Sequence, residues 1–155
     1  MKDLNKQARI LVVDDDEGIL KTLTTILQKE GYIVETAQNG KEAIKKSNSD
    51  FFNLALIDIC LPDMEGTQLL TSMKDTTPKM VKIMITGFPS FQNTMEALNK
   101  GADGYVVKPF DFENVLQTIK DHLEKQQEAR EYSEAKVVEF VEARVREVGA
   151  PISRE

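Results

Sequence analysis

The chain predicts an α/β fold: a doubly wound, five-stranded parallel sheet followed by a C-terminal helical extension. Three observations predict it. Five short apolar runs recur along 155 residues, amphipathic stretches of helical spacing lie between them, and glycine or capping residues separate the two kinds. Solidly apolar strands suit a parallel sheet covered on both faces, and regular alternation of strand and helix suits the doubly wound arrangement.

The first strand is ARILVV (8–13). Ile19, Leu20, Leu23, Ile26 and Leu27 then form one helical face, with Asp16 placed to cap its start and Gly31 to end it. YIVETA (32–37) is the second strand, and GKEAIKKS a short second helix. FNLALIDI (52–59) is the third strand, followed by a helix in TQLLTSMK. VKIMIT (81–86) is the fourth; its helix opens at Ser90 or Asn93, runs through MEALNK and stops at Gly101. GYVVKP (104–109) is the fifth, and Asp111 caps the helix FENVLQTIKDHLEK. The expected division is a domain over 1–123 and a helical tail over 124–155.

Composition narrows the function. A formal net charge of −6 without a long basic run argues against a nucleic-acid footprint and favours metal cations. The single cysteine, Cys60, excludes an internal disulfide. The start, MKDLNKQARI, has no signal-peptide core, and no apolar stretch could span a bilayer, so a cytoplasmic location and no membrane partner are expected.

Topology places the chemistry. In open α/β sheets ligands sit beyond the carboxyl ends of the strands, near the switch point of strand order, which in the order 2-1-3-4-5 falls between strands one and three. The residues that end the strands are Asp14 and Asp15, Asp58, Thr86 and Lys108. An acidic triplet alone is more often a solvated loop or cap, which suits Asp16. Asp63, in LPDMEG, is assigned to turn chemistry. His122, late in the fifth helix, is read as a surface or packing residue.

The set VVDDD, ALIDICLPDMEG, IMITG and GYVVKPF, in this order, resembles the receiver domain of two-component response regulators. Each motif is weak alone; four at strand ends, spaced 43, 28 and 22 residues from Asp15 through Asp58 and Thr86 to Lys108, are specific. The resemblance covers residues 8 to about 123 and implies the flavodoxin-like order of its strands. It implies that Asp58 accepts a phosphoryl group from a phosphohistidine on a sensor histidine kinase. It also implies Mg2+ as cofactor, held directly by Asp15 and Asp58, through a water by Asp14, and by the backbone carbonyl of Cys60. Lys108 would serve the phosphoryl group with its ammonium, Thr86 with its hydroxyl, and Gly87 by leaving room for the approach. The peptide from Lys108 to Pro109 is often cis in the family. Tyr105 would rotate between exposed and buried positions as Thr86 moves, switching the surface of helix four, strand five and helix five for a downstream protein target.

Two departures bear on the lifetime of the modified state. Cys60 and Phe88 stand two residues beyond Asp58 and Thr86, where fast-decaying receivers carry polar residues, so slow self-hydrolysis is expected. No further enzymatic activity is expected. Two rivals remain at this point. Asp14 and Asp16 form a D-x-D like that of haloacid-dehalogenase-like phosphatases, with Asp14 as nucleophile; the usual continuation is missing at Gly18, and there is no cap insertion. The other rival is an interaction module that is never phosphorylated, against which the complete acidic pocket argues.

The tail from 124 to 148 is rich in helix formers, and either extends the fifth helix or forms another. Val138, Val141, Val145 and Val148 fall on an a/d spacing with Val137 and Phe140 nearby, a stripe that needs cover from the domain, a second copy or a partner. Fewer than two heptads make a stable zipper the lesser reading. Eight acids from Glu124 onward outnumber six lysines and arginines, so direct DNA binding by this chain is not expected.

Overall fold

The computed structural model describes residues 8 to 149, apart from Thr77, Phe88 and the side chain of Phe91. The elements run β1 (Arg9–Val13), α1 (Glu17–Lys29), β2 (Ile33–Ala37), α2 (Gly40–Ser49), β3 (Leu54–Asp58), α3 (Gly66–Ser72), β4 (Val81–Thr86), α4 (Phe91–Asn99), β5 (Gly104–Val107) and α5 (Phe112–Glu147). The five strands form one sheet in the order β2-β1-β3-β4-β5, and every pairing is parallel.

Period-two alternation divides each strand between two cores. Ile10 and Val12, Leu54 and Leu56, and Val81, Ile83 and Ile85 pack with Leu20, Leu23 and Leu27 of α1 and Val115, Ile119 and Leu123 of α5. Leu11 and Val13, Ala55 and Ile57, and Met84 face the other way, onto Ala43 of α2, Leu69 and Leu70 of α3 and Ala97 of α4. The sheet is therefore covered on both faces, which is why its central strands carry almost no polar residue.

The helix boundaries follow local chemistry. Asp16 Oδ1 accepts from the amides of Gly18 and Ile19, Ser90 caps α4 through the amide of Asn93, and Asp111 caps α5 through that of Glu113. Gly31 and Gly101 follow their helices with φ of 94° and 104°, a left-handed conformation that glycine adopts without strain.

The fifth helix takes the longer of its two expected courses. It continues without a break for 36 residues, about 54 Å at 1.5 Å per residue, so the tail extends this helix. Its first half is seated by Val115, Ile119 and Leu123, and Gln126 Nε2 donates to the carbonyls of Asn53 and Lys79. From Glu128 to Val141 every residue is exposed. No helix among the described residues is long and apolar enough to cross a membrane.

Candidate functional site

Register brings the acids together. Strands β1 and β3 pair with Val12 opposite Leu56 and Val13 opposite Ile57, and one step further along lie Asp14 and Asp58. Both belong to the same alternating set as Ile10, Val12, Leu54 and Leu56, so both carboxylates face the same crevice. Asp14 is only 2% exposed and Asp58 7%, whereas Asp15 is open to solvent. Carboxylate oxygens of the three lie within 4.8 Å of one another.

Like charges placed opposite each other across strands repel, and burial makes the repulsion worse. Several groups oppose it. Lys108 Nζ reaches Asp14 Oδ2 at 3.1 Å and Asp58 Oδ2 at 3.0 Å. Asp14 Oδ1 accepts from the Asp16 amide, and Asp58 Oδ1 from the Cys60 amide, both at 3.0 Å. These donors do not balance the site fully. Burial, together with the charge of Asp58, still holds the Asp14 carboxyl above its ordinary range against the opposing pull of the Asp16 amide and Lys108. Burial also works against the Lys108 ammonium, but its hydrogen bonds to Asp58 and Asp14 prevail and raise its pKa. Three carboxylates against one ammonium leave an excess of two negative charges. An all-oxygen donor set of that excess suits a hard divalent cation.

The remaining predicted residues gather at the same end of the sheet. Thr86 ends β4, buried at 2% exposure, and its carbonyl accepts from the Lys108 amide at 2.7 Å. Lys108 and Pro109 are joined by a cis peptide. Among the described residues a Cβ at Gly87 would meet nothing closer than Lys108 Cβ at 3.9 Å. Tyr105 lies inward, packed against the core that holds Met84 and Ala97, and its buried hydroxyl has no protein hydrogen-bond partner among the described residues. Cys60 is exposed and bridges to Glu65 across the loop that follows β3. Phe88 lies outside the described residues. His122 is a packing residue, with Nδ1 2.8 Å from the Thr118 carbonyl and Nε2 3.2 Å from that of Asp103.

Two residues of this loop have roles that the sequence does not display. A Cβ at Gly66 would lie 2.4 Å from the Asp58 carbonyl oxygen and 2.8 Å from Ile59 Cα, so only glycine lets α3 start against the backbone of Asp58. Asp63 serves more than its own turn. Its two carboxylate oxygens accept from the amides of Gly40 and Lys41, at the start of α2. The first could have been sought where a glycine closes an acidic strand-end motif; the second has no local signal.

A crevice of about 860 Å³ opens elsewhere, beneath the amino ends of the strands, between Met80, Val81 and Asp103 and the α5 residues His122, Gln126 and Arg130. It contains none of the strand-end carboxylates.

Known proteins agree with this geometry. The family model of the response regulator receiver domain matches residues 10–120. The chain is 47% identical to the CheY-like receiver domain protein of Methanospirillum hungatei, with a TM-score of 0.76 over 79% of this chain and 98% of that one. The beryllofluoride-activated NtrC4 receiver domain dimer is 40% identical, with a TM-score of 0.71 over 76% and 98%. The transcriptional regulatory protein GlrR of Escherichia coli is 35% identical over 121 residues, which are 78% of this chain and 27% of GlrR. This chain thus spans about a quarter of the length of that relative. Such relatives are named as transcriptional regulators, so the expectation of no DNA contact draws no support from them. The strand order, the acids at the carboxyl ends of β1 and β3, the lysine after β5 and the match over residues 10–120 lead to one assignment: the chain belongs to the response regulator receiver family of two-component signalling.

Proposed function

We propose that Asp58 accepts a phosphoryl group from the phosphohistidine of a sensor histidine kinase. One carboxylate oxygen of Asp58 attacks phosphorus, the phosphorus–nitrogen bond breaks, and the imidazole leaves with the bonding pair and takes up a proton. The product is an acyl phosphate on Asp58. The convergence of three carboxylates with Lys108 at the strand ends carries this assignment.

Asp15, Asp58 and the Cys60 carbonyl would hold Mg2+ directly, and Asp14 through a water. When bound, the ion supplies charge neutralisation for the phosphoryl oxygens. Lys108 exchanges its contacts with Asp14 and Asp58 for a phosphoryl oxygen, and the Thr86 hydroxyl donates to another. Beyond its own phosphorylation and a slow self-hydrolysis, the chain performs no catalysis.

The modification adds about −1.5 to −2 charge. Movement of Thr86 changes the space available to Tyr105, whose inward hydroxyl finds no protein partner among the described residues. A hydroxyl not tied to the protein there supports a two-position switch. The face of α4, β5 and α5 carries the output to a protein target in the cytoplasm, and net charge −6 goes with the absence of direct DNA contact by this chain.

A second copy is the partner favoured for the tail. Val137, Val138, Phe140 and Val141, on the outer half of α5, and Val148 at its C-cap are 52–77% exposed. The NtrC4 receiver, 40% identical, is itself a dimer. Light scattering should give a dimer mass that Val138→Glu with Val141→Glu reduces to a monomer; a monomeric wild type at every concentration and phosphorylation state would remove the pairing.

The phosphorylation test is incubation with acetyl phosphate and Mg2+, followed by intact-mass measurement. Wild type and Asp14→Asn should gain one phosphoryl group, Asp14→Asn more slowly, and Asp58→Asn none. Loss of the adduct only in Asp14→Asn would favour the phosphatase alternative. No adduct in any variant would favour the unphosphorylated module.

A further inference from the structure

We infer that Asp63 is a positioning residue for the metal site, holding the loop that carries the Cys60 carbonyl against the start of α2; this rests on the Mg2+ assignment above. The loop between Asp58 and Gly66 is closed at its base. Gly66 donates to the Ile59 carbonyl at 2.7 Å, Cys60 bridges to Glu65, and the Cys60 amide donates to Asp58 Oδ1. These contacts leave the tip of the loop, Pro62 to Met64, to be fixed by something else.

The tip is fixed from 22 and 23 residues away in sequence. Asp63 Oδ1 accepts from the Gly40 amide at 2.8 Å and Oδ2 from the Lys41 amide at 2.9 Å. Helix starts carry unpaired amides and a partial positive charge, so a carboxylate there is held by two donors and a dipole at once. Those two hydrogen bonds draw the Asp63 pKa below its ordinary value. The neighbouring side chain completes the clasp. Met64 lies so close under Gly40 that a Cβ at position 40 would sit 2.4 Å from its sulfur.

The helix does not depend on Asp63 alone for its capping. Asn39 Oδ1 accepts from the Glu42 amide at 2.8 Å, from within the same segment and without touching the loop. Loss of either cap loosens the start of α2, but only Asp63 also ties the loop. Residues that orient metal ligands from outside the coordination sphere commonly change affinity about 10- to 100-fold. A backbone carbonyl is a ligand that no side chain replaces, so its aim depends on the loop.

Asp63→Ala, Asp63→Asn and Asn39→Ala separate the two roles. Mg2+ titrations of the full chain, followed by calorimetry or amide chemical shifts, read the dissociation constant directly, and thermal unfolding reads the helix. Asp63→Ala should weaken Mg2+ about tenfold. Asp63→Asn keeps one acceptor oxygen and should weaken it less, and it also serves if the alanine variant does not fold. Asn39→Ala should lower the unfolding midpoint and leave Mg2+ affinity as in wild type. The clasp is overturned if the Asp63 variants bind Mg2+ like wild type, or if Asn39→Ala weakens it equally. Wild type that binds no Mg2+ would instead remove the metal assignment itself, and the clasp with it.

Discussion

Two lysines of one sheet carry their charge under opposite conditions. Lys108, just after β5, points its ammonium between Asp14 and Asp58 and has its pKa raised despite its burial. Lys82, within β4, is 4% exposed, donates from Nζ to the Leu70 carbonyl of α3 at 3.1 Å, and has its pKa lowered, chiefly by burial. The first is held by two full charges at the rim, where an anion can arrive and displace them. The second donates to one carbonyl inside the core, with Asp75 and Asp103 favouring its charge without a direct contact to the ammonium. A buried cation is useful when its partners can be exchanged, and otherwise only stabilises or burdens the fold.

Removing Lys108 should have the largest effect. Lys108→Ala takes away the only cation that bridges Asp14 and Asp58 among the described residues, and with it the donor proposed to follow the phosphoryl group. Phosphoryl acceptance from acetyl phosphate should slow about 100-fold, the usual cost of losing one donor to transition-state charge. Lys82→Ala, in contrast, should leave the rate alone. Equal rates for Lys108→Ala and wild type would erase the functional half of the contrast.

Stability should reverse the order of importance. Lys82→Ala empties a packed position among α3 and β4 and should cost about 2–3 kcal/mol in urea unfolding. Lys82→Met keeps the stem and removes the charge. Leu70 then loses a donor, worth about 1–3 kcal/mol, and the favourable charges of Asp75 and Asp103 lose their partner, but desolvation, the largest influence on this ammonium, goes too. The methionine variant should therefore be more stable than wild type by about 1 kcal/mol. If it is as unstable as the alanine variant, the hydrogen bond to Leu70 is what α3 requires and the lysine is no burden.

The same pair shows what the sequence could reveal. Lys108 was legible because it ends a strand in a topology that collects strand ends, as were Asp14, Asp15, Asp58 and Thr86; their position is a consequence of strand order alone. The caps Asp16 and Asp111 were legible because capping is local. Lys82 was hidden inside VKIMIT, whose other residues are apolar or at the strand end, because burial of its ammonium depends on where the end of α3 lies. The reach of Asp63 beyond its own turn was hidden for a similar reason, since its partners Gly40 and Lys41 belong to another helix. The unbroken length of α5 could not be chosen over two helices, because no proline or glycine marks a break before Gly149 and no partner of the exposed half is visible in one chain.

The smallest effect is a slope in pH. The ordinary lysine value is 10.5, and burial sets that of folded Lys82 below it. Between the lowered value and 10.5 the unfolded chain holds a proton at this position that the folded chain has lost, so stability rises with pH across that window. Below the window both states are charged and the burial penalty is present in full. Asp75 and Asp103 favour the charge and Lys79 disfavours it, so the window is a balance of these with burial. Wild type and Lys82→Met, unfolded in urea at a series of pH values up to 10.5, share every other titrating group. Their difference should shrink as pH rises, because only wild type recovers the penalty. A constant difference would mean that Lys82 titrates alike in the folded and unfolded chains, and the two lysines would then differ in location but not in electrostatic state.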